Sequence, residues 1–134
     1  MTLHRLEHVV SFGDCDPAGI VFYPNYYAWM DATFHGYLRT SGPGHAALCR
    51  DLGARGVGLM ETGMRYRAPA SDGDRIEITL DAIDWAEKSL RASFTARVGA
   101  RLIFEGFETR GLFVADAEGR LRAAPVAALR ALLG

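Results

Sequence analysis

Two aspartates separated by one residue, Asp14 and Asp16, follow an apolar stretch near the start of the chain. A carboxylate in such a place can attack a carbonyl carbon as a nucleophile, or remove a proton from an attacking water. The same pair can form an Asx-type turn, in which aspartate side chains bond their own backbone. Pro17 and Gly19 follow directly and favour a loop. This short motif therefore leaves a turn and an active site as alternatives.

The residues after this loop favour the active site over the simple turn. From about Pro24 to Thr40, apolar residues recur at spacings of three and four, which predicts an amphipathic helix. Proline suits the first helical turn, where its missing N–H costs nothing. The start of a helix leaves backbone N–H groups without partners at the positive end of the helix dipole. Such groups can hold a developing oxyanion, so a carboxylate beside them would be placed for catalysis.

Other chemistries fit the acidic and histidine residues less well. A DxD pair also occurs in haloacid-dehalogenase phosphatases, but those need a longer parallel α/β chain. A calcium loop needs more oxygen ligands and a terminal glutamate. His4 to His8 spells HxxEH, an inverted zinc-protease motif that requires a helix, whereas its context here predicts a strand. We therefore interpret these histidines as surface residues of an edge strand and Glu61 as an outward-facing residue, and predict no metal site.

The elements that position these residues follow from the hydrophobic periodicity. Strands are predicted at residues 3–12, 57–66, 76–82, 90–98 and 102–115, and further helices at 45–52 and 125–133. Connections of hairpin length imply an antiparallel sheet. One long helix and one sheet must bury their apolar sides against each other. The sequence therefore predicts an α+β fold, a curved sheet of about five strands around one helix, as a single domain over residues 1–134.

Composition excludes several classes of function. The 134-residue chain has a net charge of −1 and no basic block, which argues against nucleic acid as a partner. Residues 1–10 carry charges where a signal peptide would be apolar, and the apolar stretch at 19–30 is too short to span a bilayer. Cys15 and Cys49 form no CxxC pair, as expected of reduced thiols. We therefore expect a cytoplasmic protein with no membrane partner.

The segment FGDCDPAGIVFYPNYYAWMD, residues 12–31, resembles the active-site segment of the 4-hydroxybenzoyl-CoA thioesterase family of the Pseudomonas type. Weaker similarity extends over most of the chain, at RYRAPASDGD, WAEKS and GRLRA. The resemblance implies the hotdog fold, in which the sheet wraps around one long helix, and hydrolysis of an acyl-CoA thioester. It implies no cofactor, because coenzyme A is part of the substrate. It also implies homo-oligomers, namely dimers with active sites at the subunit interface, commonly paired into tetramers.

The resemblance further implies roles for individual residues. Asp16 matches the catalytic carboxylate, acting as nucleophile or general base. Tyr23 matches the residue whose backbone N–H holds the thioester oxygen. Asp31 matches the residue that contacts the hydroxyl of the 4-hydroxybenzoyl ring. The other substrate-binding assignments are Gly19, Phe22, Lys88 and Arg122, of which the last two match contacts to the phosphates of coenzyme A.

This chain departs from the family pattern at three of the matched positions. Phe22 stands where the family member compared has tryptophan. Ala86 and Glu87 stand where it has two arginines, so two positive charges that would face the nucleotide are missing. The reaction class therefore carries over better than the identity of the acyl group.

Three alternatives remain open on these observations. The first is a thioesterase for another substrate, such as a short-chain acyl-CoA or an acyl-carrier-protein thioester. The second is a hydratase or dehydratase on the same fold, which commonly uses an Asp/His pair, and only His35 could approach Asp16 in space. The third is a non-enzymatic module that binds acyl-CoA and would not need Asp16.

Overall fold

A computed structural model describes residues 2–134 of the chain. Its helices are α1 (Pro24–Ser41), α2 (His45–Leu52) and α3 (Ala127–Leu133). Its strands are β1 (His4–Val9), β2 (Gly56–Tyr66), β3 (Arg75–Trp85), β4 (Leu90–Val98), β5 (Arg101–Ala115) and β6 (Leu121–Ala124). The predicted order, one strand, a long helix, a short helix and then consecutive strands, is therefore found.

Within residues 2–134 the strands form one antiparallel sheet of six, in the order β1-β3-β4-β5-β2. The sixth strand, β6, pairs with the end of β5 from Leu112 to Ala115, where pairing with β4 has already ended at Arg110. The expectation of about five strands thus missed β6. Residues 121–124, LRAA, include no aromatic or β-branched side chain, so local propensity does not indicate a strand there.

The sequence predicts that the first strand extends to Phe12, but in the structure it ends at Val9. Ser11 opens a single 3-10 turn over Phe12–Asp14, and its backbone N–H donates to the Asp14 carboxylate at 2.9 Å. This side-chain bond offers the backbone an alternative to the sheet ladder, and the strand stops there. The turn redirects the chain toward the start of α1.

The core lies between α1 and one face of the sheet. Tyr26, Met30, Phe34 and Leu38 follow each other at intervals of four, so they form one buried stripe along α1. The sheet contributes alternating buried residues of β3 and β4 and two consecutive buried residues of β5, namely Ile76, Ile78, Leu80, Ala92, Phe94, Ala96, Ile103 and Phe104. The predicted hotdog arrangement, a sheet wrapped around one long helix, is confirmed by this packing.

Gly106 of β5 lies directly against the Met30 side chain of α1. A Cβ atom at this position would lie 2.6 Å from the sulfur of Met30 and 3.3 Å from the carbonyl oxygen of Gly63. A side chain at this position would displace the Met30 side chain and press on the backbone of β2. Glycine here therefore leaves room for Met30 between α1 and β5.

The structure shows the state of the two cysteines and the character of the helices. Over residues 2–134, Cys15 and Cys49 are free thiols, the first half-buried and the second buried. Burial raises the pKa of the Cys49 thiol, so it stays protonated at neutral pH. In the same part of the chain, no helix combines the length and the apolar character needed to cross a lipid bilayer.

Candidate active site

The loop between β1 and α1 is tied down at both ends. The backbone N–H of Phe22 donates to the carbonyl oxygen of Asp14 at 2.9 Å, and the Asn25 side-chain amide donates to the same oxygen at 2.8 Å. The N–H of Val21 donates to the carbonyl of Ala70 at 2.8 Å. The loop therefore folds back over the start of α1 and against the segment that follows β2, rather than extending into solvent.

The first aspartate of the pair, Asp14, is structural. Its Oδ2 accepts the N–H of Ser11 and lies 2.9 Å from Nε2 of His8. The hydrogen bond with His8, and then the bond from Ser11, lower the pKa of Asp14. The His8 ring in turn packs against Trp29 of α1 with 4.5 Å between ring centroids. The turn alternative therefore describes Asp14, which holds the loop to β1.

Replacing Asp14 with asparagine is expected to lower the free energy of unfolding by about 1 kcal/mol at pH 7, because the bonds to an ionised acceptor are weakened. A carboxyl group whose pKa is lowered by folding stabilises the fold fully at pH values above its pKa in the unfolded chain, here 3.8. This contribution is lost as the pH falls through the pKa of the folded state. The difference between wild type and variant should thus shrink on acidification. Urea unfolding at several pH values measures this, with the exposed Asp84→Asn as control, and a pH-independent difference would contradict it.

The second aspartate, Asp16, keeps part of its carboxylate free. Its Oδ1 accepts the N–H of Ala18 at 2.9 Å, so an Asx-type turn is present here as well. Among residues 2–134, no further hydrogen bond or ion pair is made to this carboxylate. The turn fixes the side chain through one oxygen and leaves Oδ2 available to a ligand.

Asp16 and Tyr23 line the same cavity, which has a volume of about 570 Å³. Its other walls are Ile20, Val21, Tyr26, Tyr66, Arg67, Ala68 and Pro69. The first backbone hydrogen bond at the helix start is donated by the N–H of Asn25 to the carbonyl oxygen of Phe22, at 3.0 Å. Pro24, the first residue of α1, has no N–H. The N–H of Tyr23 donates to no acceptor within residues 2–134. The residue with the partly free carboxylate and the residue with the unpaired helix-start N–H therefore line one cavity.

Two residues of this cavity, Tyr66 and Arg67, were not assigned to the site from the sequence. Partial burial and the neighbouring Tyr27 hydroxyl raise the pKa of Tyr66 to about 12, although 51% of the residue remains exposed. Tyr66 is thus protonated at neutral pH. Arg67 donates two hydrogen bonds to Glu105, at 2.9 and 2.8 Å, so its charge is already paired. The only signal for them in the sequence is the RYRAP segment at the end of β2.

A hydratase-type Asp/His pair is not formed at Asp16. In the described part of the chain, no histidine lines the cavity. His35 lies instead 3.8 Å from the carboxylate of Asp31, with its ring centroid 5.3 Å from that of His45. Burial, the largest influence, lowers the pKa of His35, so the ring is mainly neutral at pH 7.

A larger groove of about 650 Å³ lies on the sheet, lined by Arg65, Arg67 and Arg91 among others. Two of these three arginines are already paired, since Arg67 bonds Glu105 and Arg91 lies 3.6 Å from Glu61. It contains neither a helix start nor an unpaired backbone donor. We therefore take the smaller cavity with Asp16 as the candidate active site.

Asp31 lies further along α1 and does not line the cavity of Asp16. About 47% of its side chain is exposed. Its Oδ1 accepts a hydrogen bond from the guanidinium of Arg110, a buried residue of β5 that sequence reasoning did not assign to any site. Asp31 is therefore half-exposed on α1 and paired with a buried residue of the sheet.

The remaining residues assigned by resemblance lie in two different places. Gly19 and Phe22 are on the loop of Asp16, where Gly19 adopts a φ of 80° and Phe22 is 49% exposed. Lys88 is exposed in the turn between β3 and β4. Arg122 of β6 donates from Nε to the Asp116 carboxylate at 3.1 Å, so a phosphate would have to compete with this partner.

The HxxEH run at the start of the chain does not build a metal site. His4 and His8 lie on β1, an edge strand of the sheet, and both are half-buried, with His8 bonded to Asp14. Within residues 2–134, no group of three or more His, Cys, Asp or Glu side chains is placed to hold a metal ion. The interpretation as residues of an edge strand is confirmed, although neither histidine is fully on the surface.

Comparison with known proteins decides the family. The model of a family described as the thioesterase-like superfamily matches residues 10–132. The chain belongs to the thioesterase-like superfamily. It is a hotdog-fold acyl-CoA thioesterase, as the resemblance implied.

Relatives of this thioesterase include enzymes with aromatic acyl groups in their names. The 4-hydroxybenzoyl-CoA thioesterase of Pseudomonas sp. (strain CBS-3) is 33% identical over 129 residues, which are 92% of this chain and 91% of that protein. Its solved structure has a TM-score of 0.81 and covers 97% of both chains.

Two further solved structures are similar to this thioesterase over nearly its whole length. One is an aspartate-to-asparagine mutant of 4-hydroxybenzoyl-CoA thioesterase in complex with 4-hydroxybenzoyl-CoA, at 32% identity, a TM-score of 0.80 and 96% coverage of both chains. The other is a gentisyl-coenzyme A thioesterase at 30% identity, with a TM-score of 0.75, covering 94% of this chain and 98% of that one.

Proposed function

We propose that this thioesterase acts in the cytoplasm on an aromatic, 4-hydroxybenzoyl-like CoA thioester and releases the free acid and coenzyme A. The observation that carries this proposal is the cavity lined by both Asp16, whose carboxylate is partly free, and Tyr23, whose N–H is unpaired. Both groups are suited to acyl transfer, since one supplies a base or nucleophile and the other a donor for the oxyanion. The relatives named above, at 30% identity or more, are named for CoA thioesters of hydroxylated benzoyl groups.

In the proposed reaction, the thioester carbonyl oxygen accepts a hydrogen bond from the backbone N–H of Tyr23. The positive end of the α1 dipole adds to the polarisation of the carbonyl. Oδ2 of Asp16 attacks the carbonyl carbon, or takes a proton from the water that does so, while Oδ1 stays bonded to Ala18. The carbon–sulfur bond breaks, the thiolate of coenzyme A leaves and takes up a proton, and one water is consumed overall. The reaction proposed needs no metal and no resident cofactor.

We propose that the residues matched by resemblance contact the remaining parts of the substrate. Asp31, which lies outside the Asp16 cavity of its own chain, accepts a hydrogen bond from a ring hydroxyl of a substrate bound at the proposed subunit interface. Gly19 and Phe22 flank the acyl group. Lys88 and Arg122 contact the phosphates of coenzyme A. Lys88 is exposed and Arg122 would exchange its carboxylate partner for a phosphate oxygen.

We propose further that the chain forms a homo-oligomer, a dimer or a tetramer of two dimers. Large apolar side chains are exposed around the loop and along β2, namely Phe12 at 82%, Phe22 at 49%, Tyr23 at 57%, Leu59 at 49% and Met60 at 53%. Exposed large apolar residues on these two segments are consistent with surfaces that another subunit covers. A monomer mass in light scattering at micromolar concentration would contradict the proposal.

The test of substrate class is a thiol-release assay on 4-hydroxybenzoyl-CoA, benzoyl-CoA and butyryl-CoA, with wild type and Asp31→Asn. We expect the wild type to have its highest kcat/KM on the hydroxylated substrate. Asp31→Asn should lower that value roughly tenfold and change the value for benzoyl-CoA much less, because only the hydroxyl loses its charged acceptor.

The exposed helical aspartate Asp51, replaced by asparagine in α2, provides the matched control and should leave all three values unchanged. A wild type that prefers butyryl-CoA would overturn the aromatic assignment and leave the thioesterase assignment standing. Equal losses on both aromatic substrates in Asp31→Asn would remove Asp31 from substrate recognition.

A further inference from the structure

A buried ionic cluster lies between α1 and β5, and nothing proposed above uses its central residue. Arg110 is 4% exposed and Glu108 is 2% exposed. The guanidinium of Arg110 donates to Oε1 of Glu108 from Nε at 3.2 Å and from Nη2 at 3.0 Å. Its Nη1 donates to the carbonyl oxygen of Val57 at 2.9 Å, and Nη2 donates also to Oδ1 of Asp31.

These contacts hold the guanidinium from several sides. Besides its three hydrogen-bonding partners, it lies over the ring of Phe34 at 4.5 Å from the centroid. A planar fork fixed in this way leaves few orientations to the carboxylate that it binds. A buried cation is costly unless it is fully paired, and Arg110 is paired on both β5 and α1. The consequence is that the orientation of Asp31 is set from the sheet.

The part of the cluster that is accessible from outside is the Asp31 carboxylate, a hydrogen-bond acceptor, and not the Arg110 guanidinium. Arg110 is almost inaccessible, whereas 47% of the Asp31 side chain is exposed. Oδ1 of Asp31 is taken by Arg110, and Oδ2 has only the His35 ring at 3.8 Å. Since burial lowers the pKa of His35, that ring brings little positive charge at neutral pH. A group that approaches Oδ2 must therefore donate a hydrogen bond, and an anionic group would meet a carboxylate.

We infer that Arg110 is a positioning residue, which fixes Asp31 so that its free oxygen accepts a hydrogen bond from a hydroxyl on the acyl group. It thereby determines the preference for a hydroxylated over an unsubstituted aromatic acyl-CoA. This inference rests on the proposed function, in which Asp31 faces the acyl group. It differs from a role in stability alone, because a purely structural residue would not change the ratio between two substrates.

The experiment compares kcat/KM for 4-hydroxybenzoyl-CoA and benzoyl-CoA in wild type, Arg110→Met and Arg110→Lys. The ratio between the two substrates is expected to fall roughly tenfold in Arg110→Met, because Asp31 loses the partner that orients it. Arg110→Lys should restore part of the ratio, since it keeps the charge without the planar fork. The exposed Arg97→Met on neighbouring β4 is the matched control and should keep the wild-type ratio.

A double-mutant cycle tests whether Arg110 acts on substrate preference through Asp31. In the Asp31→Asn background, Arg110→Met should change the ratio no further, since the two substitutions remove the same interaction. An unchanged ratio in Arg110→Met, or equal losses on both substrates, would overturn the inference. Where Arg110→Met does not fold, the same comparison in Arg110→Lys decides, and a wild-type ratio there overturns it. A wild type that hydrolyses neither aromatic substrate would instead overturn the proposed function, and this inference with it.

Discussion

Replacing Asp16 with asparagine is expected to lower kcat for thioester hydrolysis by a factor of roughly 100 or more while the fold stays intact. An amide can neither attack the carbonyl carbon nor accept a proton from water, and such a group supplies about 10²-fold or more in rate. The loop should keep its shape, because the amide oxygen can still accept the N–H of Ala18. Steady-state thiol release and thermal unfolding of the same preparation measure both quantities.

The matched control for this prediction is Asp72→Asn, which makes the same change in an exposed turn. It should retain wild-type turnover. If Asp16→Asn turned over substrate at a rate near that of wild type, the carboxylate would have no catalytic role. The catalytic group would then lie elsewhere in the chain, whereas a non-enzymatic acyl-CoA-binding module would require that the wild type itself shows no turnover.

The largest loss of stability is expected for Phe104→Ala, at about 3–5 kcal/mol. Phe104 is 0% exposed, and its ring lies 5.3 Å, centroid to centroid, from that of Tyr26. Tyr26 is a wall of the candidate active-site cavity, and its hydroxyl accepts the N–H of Ala70 at 3.2 Å. The void would therefore open directly behind the site. Thermal unfolding should show a fall in Tm of about 10–20 °C.

Phe107→Ala provides the matched control, since it makes the same deletion in the same strand. Phe107 is only partly buried, and its ring is covered by the Arg91 guanidinium, 3.7 Å from its centroid. Its removal should cost about 1 kcal/mol, mainly the cation–π contact and partial burial. Equal losses in the two variants would mean that the face of β5 toward α1 is not the tightly packed one.

The elements of the fold could be predicted from the sequence because each is fixed by its own periodicity. Tyr26, Met30, Phe34 and Leu38 repeat at four residues, and this spacing alone defines the buried stripe of α1. The alternating residues of β3 and β4 define the buried face of the sheet in the same way. β6 lacks such a signal, and forms because the end of β5 has an open edge once β4 has ended.

The site was predictable only where its residues are close in sequence. Asp16 and Tyr23 lie on one loop and one helix start, so a local pattern brings them together. Arg110 and Asp31 are separated by 79 positions, and their contact depends on how the sheet lies against α1. No pattern in one sequence specifies that register. The different roles of Asp14 and Asp16 likewise depend on His8, a residue of the preceding strand.

Strands β3, β4 and β5 follow each other as neighbours in the sheet, whereas β1 joins β3 across the chain that contains the site loop and α1. Short hairpins close at a small cost in loop entropy, and distant pairings close slowly. The N–H of Val21 bonds Ala70, so the loop with Asp16 is ordered only when this distant closure occurs. We therefore expect thioesterase activity to return late in refolding, after β3, β4 and β5 have paired.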